Sequence, residues 1–353
     1  MALRASSIIT SACAQYKTTN GVVLHLESAP GLGKSSLGRE IAKEVLSWHG
    51  LDVIQYDSGN PESAEYATMV EFNGALRDPT DVLGLPHNAG KFSYWTPPAE
   101  FYALRYGSGP KFLLVEELTD SLMPMQNALC RVFLDRYAGN LRLTDQLYIL
   151  STGNRTQDRS GAQRMVTKLG NRLRKLEMEF NLDDFLAWGE RTGKIPRLQR
   201  DFHRFRPSLC MDFDPTREVN PTPRSWEGVA KIPATMPDLE YFEHVKGEVN
   251  EGAAAEWIGF RRIASTLVTP EEVALRPSTV PIPTEPAALY AMTGALSEAT
   301  TKDNIERFAL YIERMPKEFQ VMYFLDTQKK TPAVKMTKTF INWATRNASV
   351  MLG

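Results

Sequence analysis

The stretch ESAPGLGKSSLG, Glu27 to Gly38, decides the fold. It follows the β-prone apolar run Val22, Val23, Leu24 and Leu26. It precedes Leu37, Ile41 and Val45, which recur every four residues along one face of a helix that ends near Gly50. A glycine-rich turn between a strand and a helix N-terminus is the setting a phosphate loop requires. Gly31 and Gly33 let the backbone approach phosphate oxygens and aim its N–H groups at them. The cradle runs through Pro30, Gly31, Leu32, Gly33, Lys34, Ser35 and Ser36. In it Lys34 reaches the β- and γ-phosphates of ATP, and the Ser35 hydroxyl ligates Mg2+. Ser28 stands where the GxxxxGK[ST] pattern has its first glycine, and a small residue still fits the turn. The competing reading is a structural corner with a surface lysine.

The residues downstream bear on that choice. The apolar run KFLLVEEL, Lys111 to Leu118, ends in two acids. In an ATPase Glu116 holds the magnesium shell, through a water because aspartate is usual there, and Glu117 polarises the attacking water as general base. Alone, two such acids are equally a solvated strand edge. A further run, QLYILSTGNR, ends in Ser151, Thr152, Gly153 and Asn154. That polar tip can hold the lytic water against the γ-phosphate, or simply cap a turn. Loop, acids and polar tip, in this order, favour the ATPase.

Composition narrows the class. The chain has 353 residues, 42% hydrophobic and 24% charged, with a net charge of -1. That is room for about two domains of roughly 150 residues. No apolar run approaches the roughly 18 residues of a membrane span, and the N-terminus lacks a signal-peptide core. Cys13, Cys130 and Cys210 form neither a disulfide framework nor a zinc knuckle, and the histidines have no metal spacing. A reduced, cytoplasmic protein without a membrane partner is expected. The balanced charge argues against a generic nucleic-acid coat and leaves room for a local basic channel.

Together the segments SAPGLGKSS, DPTDVLGLP, FLLVEEL, MPMQNALCRVFLDR, STGNRTQDRSG, LGNRL and PTPRSW make the chain resemble the AAA+ ATPases. Within them it resembles the MoxR-like group, including short phage and bacterial members. The resemblance spans Gly21 to Trp226 and is loose beyond. It implies an α/β fold, a P-loop AAA+ core with a parallel sheet between helices, followed by a helical lid and a helical C-terminal region. It makes Asn154 sensor 1 and Arg224 sensor 2. Arg172 takes the place of the arginine finger that enters a neighbouring subunit's site, with Arg174 as second candidate. It implies ATP hydrolysis with Mg2+ by a homo-oligomer, a hexameric ring or spiral, that remodels a client in a chaperone-like role. Such proteins often work with a partner bearing a von Willebrand factor A domain.

The expected domains are 1–180 for the core, 181–235 for the start of the lid, and 236–353 for the C-terminal region. The segment LEMEF is expected to be the last core strand. The stretch TPEEVALRPSTVPIPTEP, within 270–286, reads as an extended proline-rich connection. Ile305, Phe308 and Ile312 fall at helical spacing.

Two stretches leave alternatives open. A hairpin around 84–98 carries Phe92, Tyr94 and Trp95, and in the MoxR-like group this region faces the pore. These aromatics either grip an extended polypeptide or single-stranded nucleic acid, or pack beneath the hairpin, the expectation for Trp95. The basic run Arg155, Arg159, Arg164, Lys168, Arg172, Arg174 and Lys175 contains one acid, Asp158. It serves trans contacts to a neighbour's nucleotide, a solvated face, or a channel for DNA or RNA. An ATP-gated assembly protein with little turnover is a further option, given Ser28 and Glu116.

Overall fold

The structure, a computed structural model, describes residues 2–19, 21–107, 109–158 and 165–347. The chain forms two compact units, Met1–Asp184 with Phe213–Glu218, and Phe185–Asp212 with Val219–Gly353.

The first unit opens with helix α1 (Ala5–Thr18), strand β1 (Val23–Ser28) and helix α2 (Lys34–Ser47). Strand β2 (Met69–Asn73) and helix α3 (Thr80–Leu83) lead to a hairpin of β3 (Leu85–Asn88) and β4 (Ser93–Thr96). Helix α4 (Ala99–Ala103), strand β5 (Lys111–Glu116) and helix α5 (Met123–Asp135) follow. A short hairpin, β6 (Tyr137–Ala138) and β7 (Leu141–Arg142), precedes β8 (Leu147–Asn154). Helix α6 (Thr167–Gly170) and strand β9 (Leu173–Glu177) complete the core.

The main sheet has the order β2-β5-β8-β1-β9, and each of its pairings is parallel. Side chains alternate between its two faces, so a sheet covered on both sides needs apolar residues at consecutive positions. Phe112 and Leu114 face the layer that holds Ile41 and Val45 of α2, whereas Leu113 and Val115 face Leu129 and Val132 of α5. The α/β class expected from the sequence, a parallel sheet between helices and then a helical region, is the class observed.

Helix α1 was not legible in the sequence. It buries Ile8, Ala12, Cys13 and Tyr16, and the Tyr16 hydroxyl donates to the Ile149 carbonyl at 2.7 Å. Its serine, threonine and alanine content blurs the helical period. The last strand also starts before LEMEF: β9 pairs from Leu173 to Glu177 along β1, and Met178, which donates to the Glu27 carbonyl at 2.8 Å, adds an isolated bridge to Leu3.

The chain continues with α7 (Leu182–Thr192), α8 (Arg197–Phe205), α9 (Pro223–Ala230), α10 (Asp238–Val249) and α11 (Glu251–Ser265). Then come α12 (Pro270–Leu275), α13 (Pro286–Ala299), α14 (Ile305–Ile312), α15 (Lys317–Lys330) and α16 (Lys338–Arg346). Phe202, Trp226, Trp257 and Phe260 form an aromatic centre in the second unit. The proline-rich stretch is more than an extended connection. Pro270 starts α12, where its missing N–H is harmless. Val273 and Val280 are buried, and the Pro281 carbonyl accepts from the Tyr311 hydroxyl at 2.9 Å.

His203 is fully buried against Phe185, Phe202 and Trp226, and neither ring nitrogen has a hydrogen-bond partner among the described residues. Burial pushes its pKa down to about 3. Below the ordinary histidine value the unfolded chain takes up a proton that the folded chain refuses, so the contribution of His203 to stability falls as pH drops from 6.5 toward 3, by up to about 1.4 kcal/mol per pH unit. Buried Asp201, pushed up to about 7, contributes the opposite slope between that value and its ordinary one. The His203 contribution is therefore read as a difference: in urea unfolding, His203→Leu should lose less stability than the wild type as pH falls through this range.

Candidate nucleotide site

Parallel strands bring their carboxyl ends to one edge, the usual place for a ligand in an α/β sheet. Register here pairs Ser28 of β1 with Asn154 of β8, and Asn73 of β2 with Glu116 of β5. The sheet order therefore sets the polar tip between the phosphate loop and the acids.

Gly31 and Gly33 have φ of 78° and 83°, a left-handed backbone that side chains other than glycine rarely adopt. Gly33 caps α2 without a side chain, so the first N–H groups of that helix are left to an external anion. Lys34 Nζ donates to Asn154 Oδ1 at 2.7 Å. It also lies 3.2 Å from Ser28 O, Ser28 Oγ and Ala29 O. Ser28, in the place of glycine, thus lends its hydroxyl to the lysine.

Glu117 follows β5 with φ 56°, a strained conformation for a glutamate, of order 1–3 kcal/mol. Its carbonyl accepts from Asp120 N at 3.0 Å and Ser121 Oγ at 3.0 Å. Its exposed carboxylate accepts from Asn73 Nδ2 at 3.1 Å. Glu116 stays beside the sheet, where Arg39 Nη2 lies 3.9 Å from its Oε1 while pairing with Glu71 at 2.6 and 2.7 Å. Glu116 Oε1 is buried and has no hydrogen-bond partner among the described residues.

That orphaned oxygen fits a magnesium shell, with Ser35 as the other protein donor. Among the described residues no cluster of three or more His, Cys, Asp or Glu side chains could cage a metal. Mg2+ held largely by phosphates and waters needs none. Nor is any described helix long and apolar enough to cross a membrane.

Asn73, Thr119 and Asp120 were missed in the sequence. Thr119 Oγ1 receives Asn154 N at 2.8 Å and donates to Asn154 O at 3.1 Å. Asp120 Oδ2 accepts from Asn154 Nδ2 at 3.1 Å. The acid four residues after Glu116 in EELTD was the one available hint. Behind the loop strand, His25 and Lys175 hold the Glu27 carboxyl down to about 2.

The arginines are placed differently. Arg174 bonds Gln15 of α1, whereas Arg172 is exposed and its guanidinium makes no hydrogen bond or ion pair with a described residue, its backbone N–H donating to the Leu169 carbonyl at 2.9 Å. Arg224 is exposed in the first turn of α9, which Thr222 and Ser225 cap reciprocally. Arg155 pairs with Asp158 and Glu177, and Lys175 pairs with Glu27. Arg159 and Arg164 lie outside the described residues. The basic run is therefore partly neutralised within its own unit. Phe92, Tyr94 and Trp95 are all exposed, Trp95 at 41%, so the expected packing beneath the hairpin does not occur. The two-stranded ribbon is too narrow to bury them.

No protein-family model matches the chain, and no curated protein matches it. Among solved structures it is similar to NtrX from Brucella abortus, with 14% identity and a TM-score of 0.37, over 92% of this chain and 69% of that one. It is similar to a RuvB variant from Thermotoga maritima, with 13% identity and a TM-score of 0.34, over 76% and 79%. A DNA polymerase III gamma subunit-related protein of Thermotoga maritima has 8% identity and a TM-score of 0.33, over 91% and 83%. Likenesses this distant leave the chemistry to the chain's own residues.

The close seat of Thr119 depends on Gly153. A Cβ there would lie 2.6 Å from Thr119 Oγ1, 2.7 Å from its Cγ2 and 3.0 Å from His25 Cε1. Gly153→Ala is expected to destabilise the unit by about 1–3 kcal/mol. Thr119→Ala in that background should recover part of the loss in urea unfolding.

Proposed function

We propose that the chain is an ATP-hydrolysing AAA+ ATPase of the MoxR-like type. It acts as a homo-oligomeric ring or spiral that remodels a partner macromolecule. The observation that carries the reading is the Lys34–Asn154 hydrogen bond. It joins the loop lysine to the polar tip of the strand beside the acids, so all three parts of an ATPase site meet at one sheet edge.

The α2 N-terminus and Lys34 bind the phosphates, and nucleotide binding draws Lys34 from the loop carbonyls toward them. Ser35, and Glu116 through a water, would hold Mg2+, which would offset the phosphates' negative charge. Glu117 takes the proton of the attacking water. Asn73 is an amide donor to that carboxylate, so the base becomes effective as Asn73 lets it turn to the water. Arg172, exposed and with a guanidinium that no described residue of its own subunit hydrogen-bonds or pairs, suits a finger for the neighbouring site. Arg174, engaged with α1, does not. Arg224, exposed at a capped helix start, suits the sensor 2 role that the resemblance implies. The exposed hairpin aromatics suit a grip on an extended client. Local pairing of Arg155 and Lys175 weighs toward a polypeptide over a nucleic-acid backbone.

The Glu117→Gln variant, prepared with ATP and magnesium, should lose turnover by about a hundredfold or more. It should keep bound ATP and assemble into rings or spirals with polypeptide attached. Phosphate release, sizing and absorbance before and after nuclease read these outcomes. Turnover at the wild-type rate contradicts the assignment of the base. A nuclease-sensitive absorbance, after correction for ATP, makes the load a nucleic acid. Assembly in a wild type with only trace hydrolysis makes the protein an ATP-gated scaffold.

A further inference from the structure

We propose that Asp120 is a positioning residue that fixes Lys34 by way of Asn154, an inference resting on the nucleotide-site reading above. A lysine ammonium only donates, so the Asn154 atom 2.7 Å from Nζ is the carbonyl oxygen Oδ1. The amide nitrogen must then face the other way, and there it meets the acceptor Asp120 Oδ2 at 3.1 Å. Chemistry at both ends sets the orientation of an amide that would otherwise be ambiguous.

The backbone of Asn154 is held in the same way by the preceding residue. Thr119 Oγ1 takes its N–H and returns a hydrogen bond to its carbonyl. The turn after β5 thus grips Asn154 at three points and presents an acceptor, not a donor, toward the phosphate loop. An asparagine so oriented repels a phosphate oxygen and attracts the lysine. Its task is to hold the Lys34 ammonium against the pull of Ser28 O, Ser28 Oγ and Ala29 O, each at 3.2 Å.

A stabilising role does not explain Asp120. Its Oδ1 is buried without a hydrogen-bond partner among the described residues, and burial, with Glu117 adding to it, pushes the carboxyl above the usual range. An apolar residue would remove that unsatisfied oxygen. What Asp120 supplies is an acceptor at the end of a three-member chain, Asp120 to Asn154 to Lys34. Without it the amide is able to turn, and Lys34 falls back on the loop acceptors.

The test compares the full-length wild type with Asp120→Ala, Asp120→Asn, Asn154→Ala and the double variant Asp120→Ala/Asn154→Ala. Binding of a fluorescent ATP analogue with magnesium is titrated, and phosphate release is followed alongside. Asp120→Ala should weaken binding about tenfold, the loss of one hydrogen bond to a charged group, with unchanged or higher thermal stability. Asp120→Asn retains an acceptor oxygen and should stay within about threefold of wild type. Asp120→Ala should add nothing on top of Asn154→Ala, because both break the same chain. Asp120→Leu, similarly branched and without an acceptor, replaces the alanine variant if that fails to fold. Wild-type affinity in Asp120→Ala, an asparagine variant as impaired as alanine, or additive losses would overturn the proposal. A wild type that binds no nucleotide overturns the nucleotide-site reading itself, and this proposal with it. An active wild type with silent variants overturns the proposal alone.

Discussion

The hydrogen bond from Lys34 to Asn154 is the constraint on which the site depends. It spans two neighbouring parallel strands whose ends are in register at Ser28 and Asn154. A slip in that register would carry the polar tip away from the loop and turn alternate side chains to the opposite face. The covered faces prevent such a slip, because Leu113 and Leu114 on β5, and Ile149 and Leu150 on β8, enter different cores. Core packing therefore fixes a polar contact that could not fix itself.

Around this contact the molecule tolerates features that oppose stability. Glu117 is held at positive φ, and Glu116 and Asp120 each carry a buried oxygen with no hydrogen-bond partner among the described residues. Such departures gather where a ligand's interactions are to replace the missing ones. Here they lie close together in the chain, from Glu116 at the end of β5 to Asp120 in the turn after it, beside Asn154. His203, whose ring nitrogens also lack hydrogen-bond partners among the described residues, lies apart from these, in the second unit among aromatic rings.

Much of this was legible in the sequence, for physical reasons that differ from element to element. The corner at Gly31 and Gly33 could be read because glycines between an apolar strand and a periodic helix mark a turn with left-handed backbone. The strands of KFLLVEEL and QLYILSTGNR could be read because a sheet covered on both faces makes continuous apolar runs. Helix α1 could not, since Ile8, Ala12 and Tyr16 are separated by small polar residues that give little contrast. Asn73, Thr119 and Asp120 were hidden because their role comes from strand order, which places β8 between β1 and β5. The proline-rich stretch misled in the opposite direction: proline at a helix start is favourable, and Val273 and Val280 carry it into the core.

The most direct measurement is calorimetric titration of magnesium–ATP into the wild-type protein and into Lys34→Ala. If the loop is a phosphate cradle, the wild type binds and the variant's affinity falls by about a hundredfold or more, as when one partner of a desolvated charge pair is removed. Equal affinity in the two proteins would contradict it, and would return the stretch from Glu27 to Gly38 to a structural corner with a surface lysine.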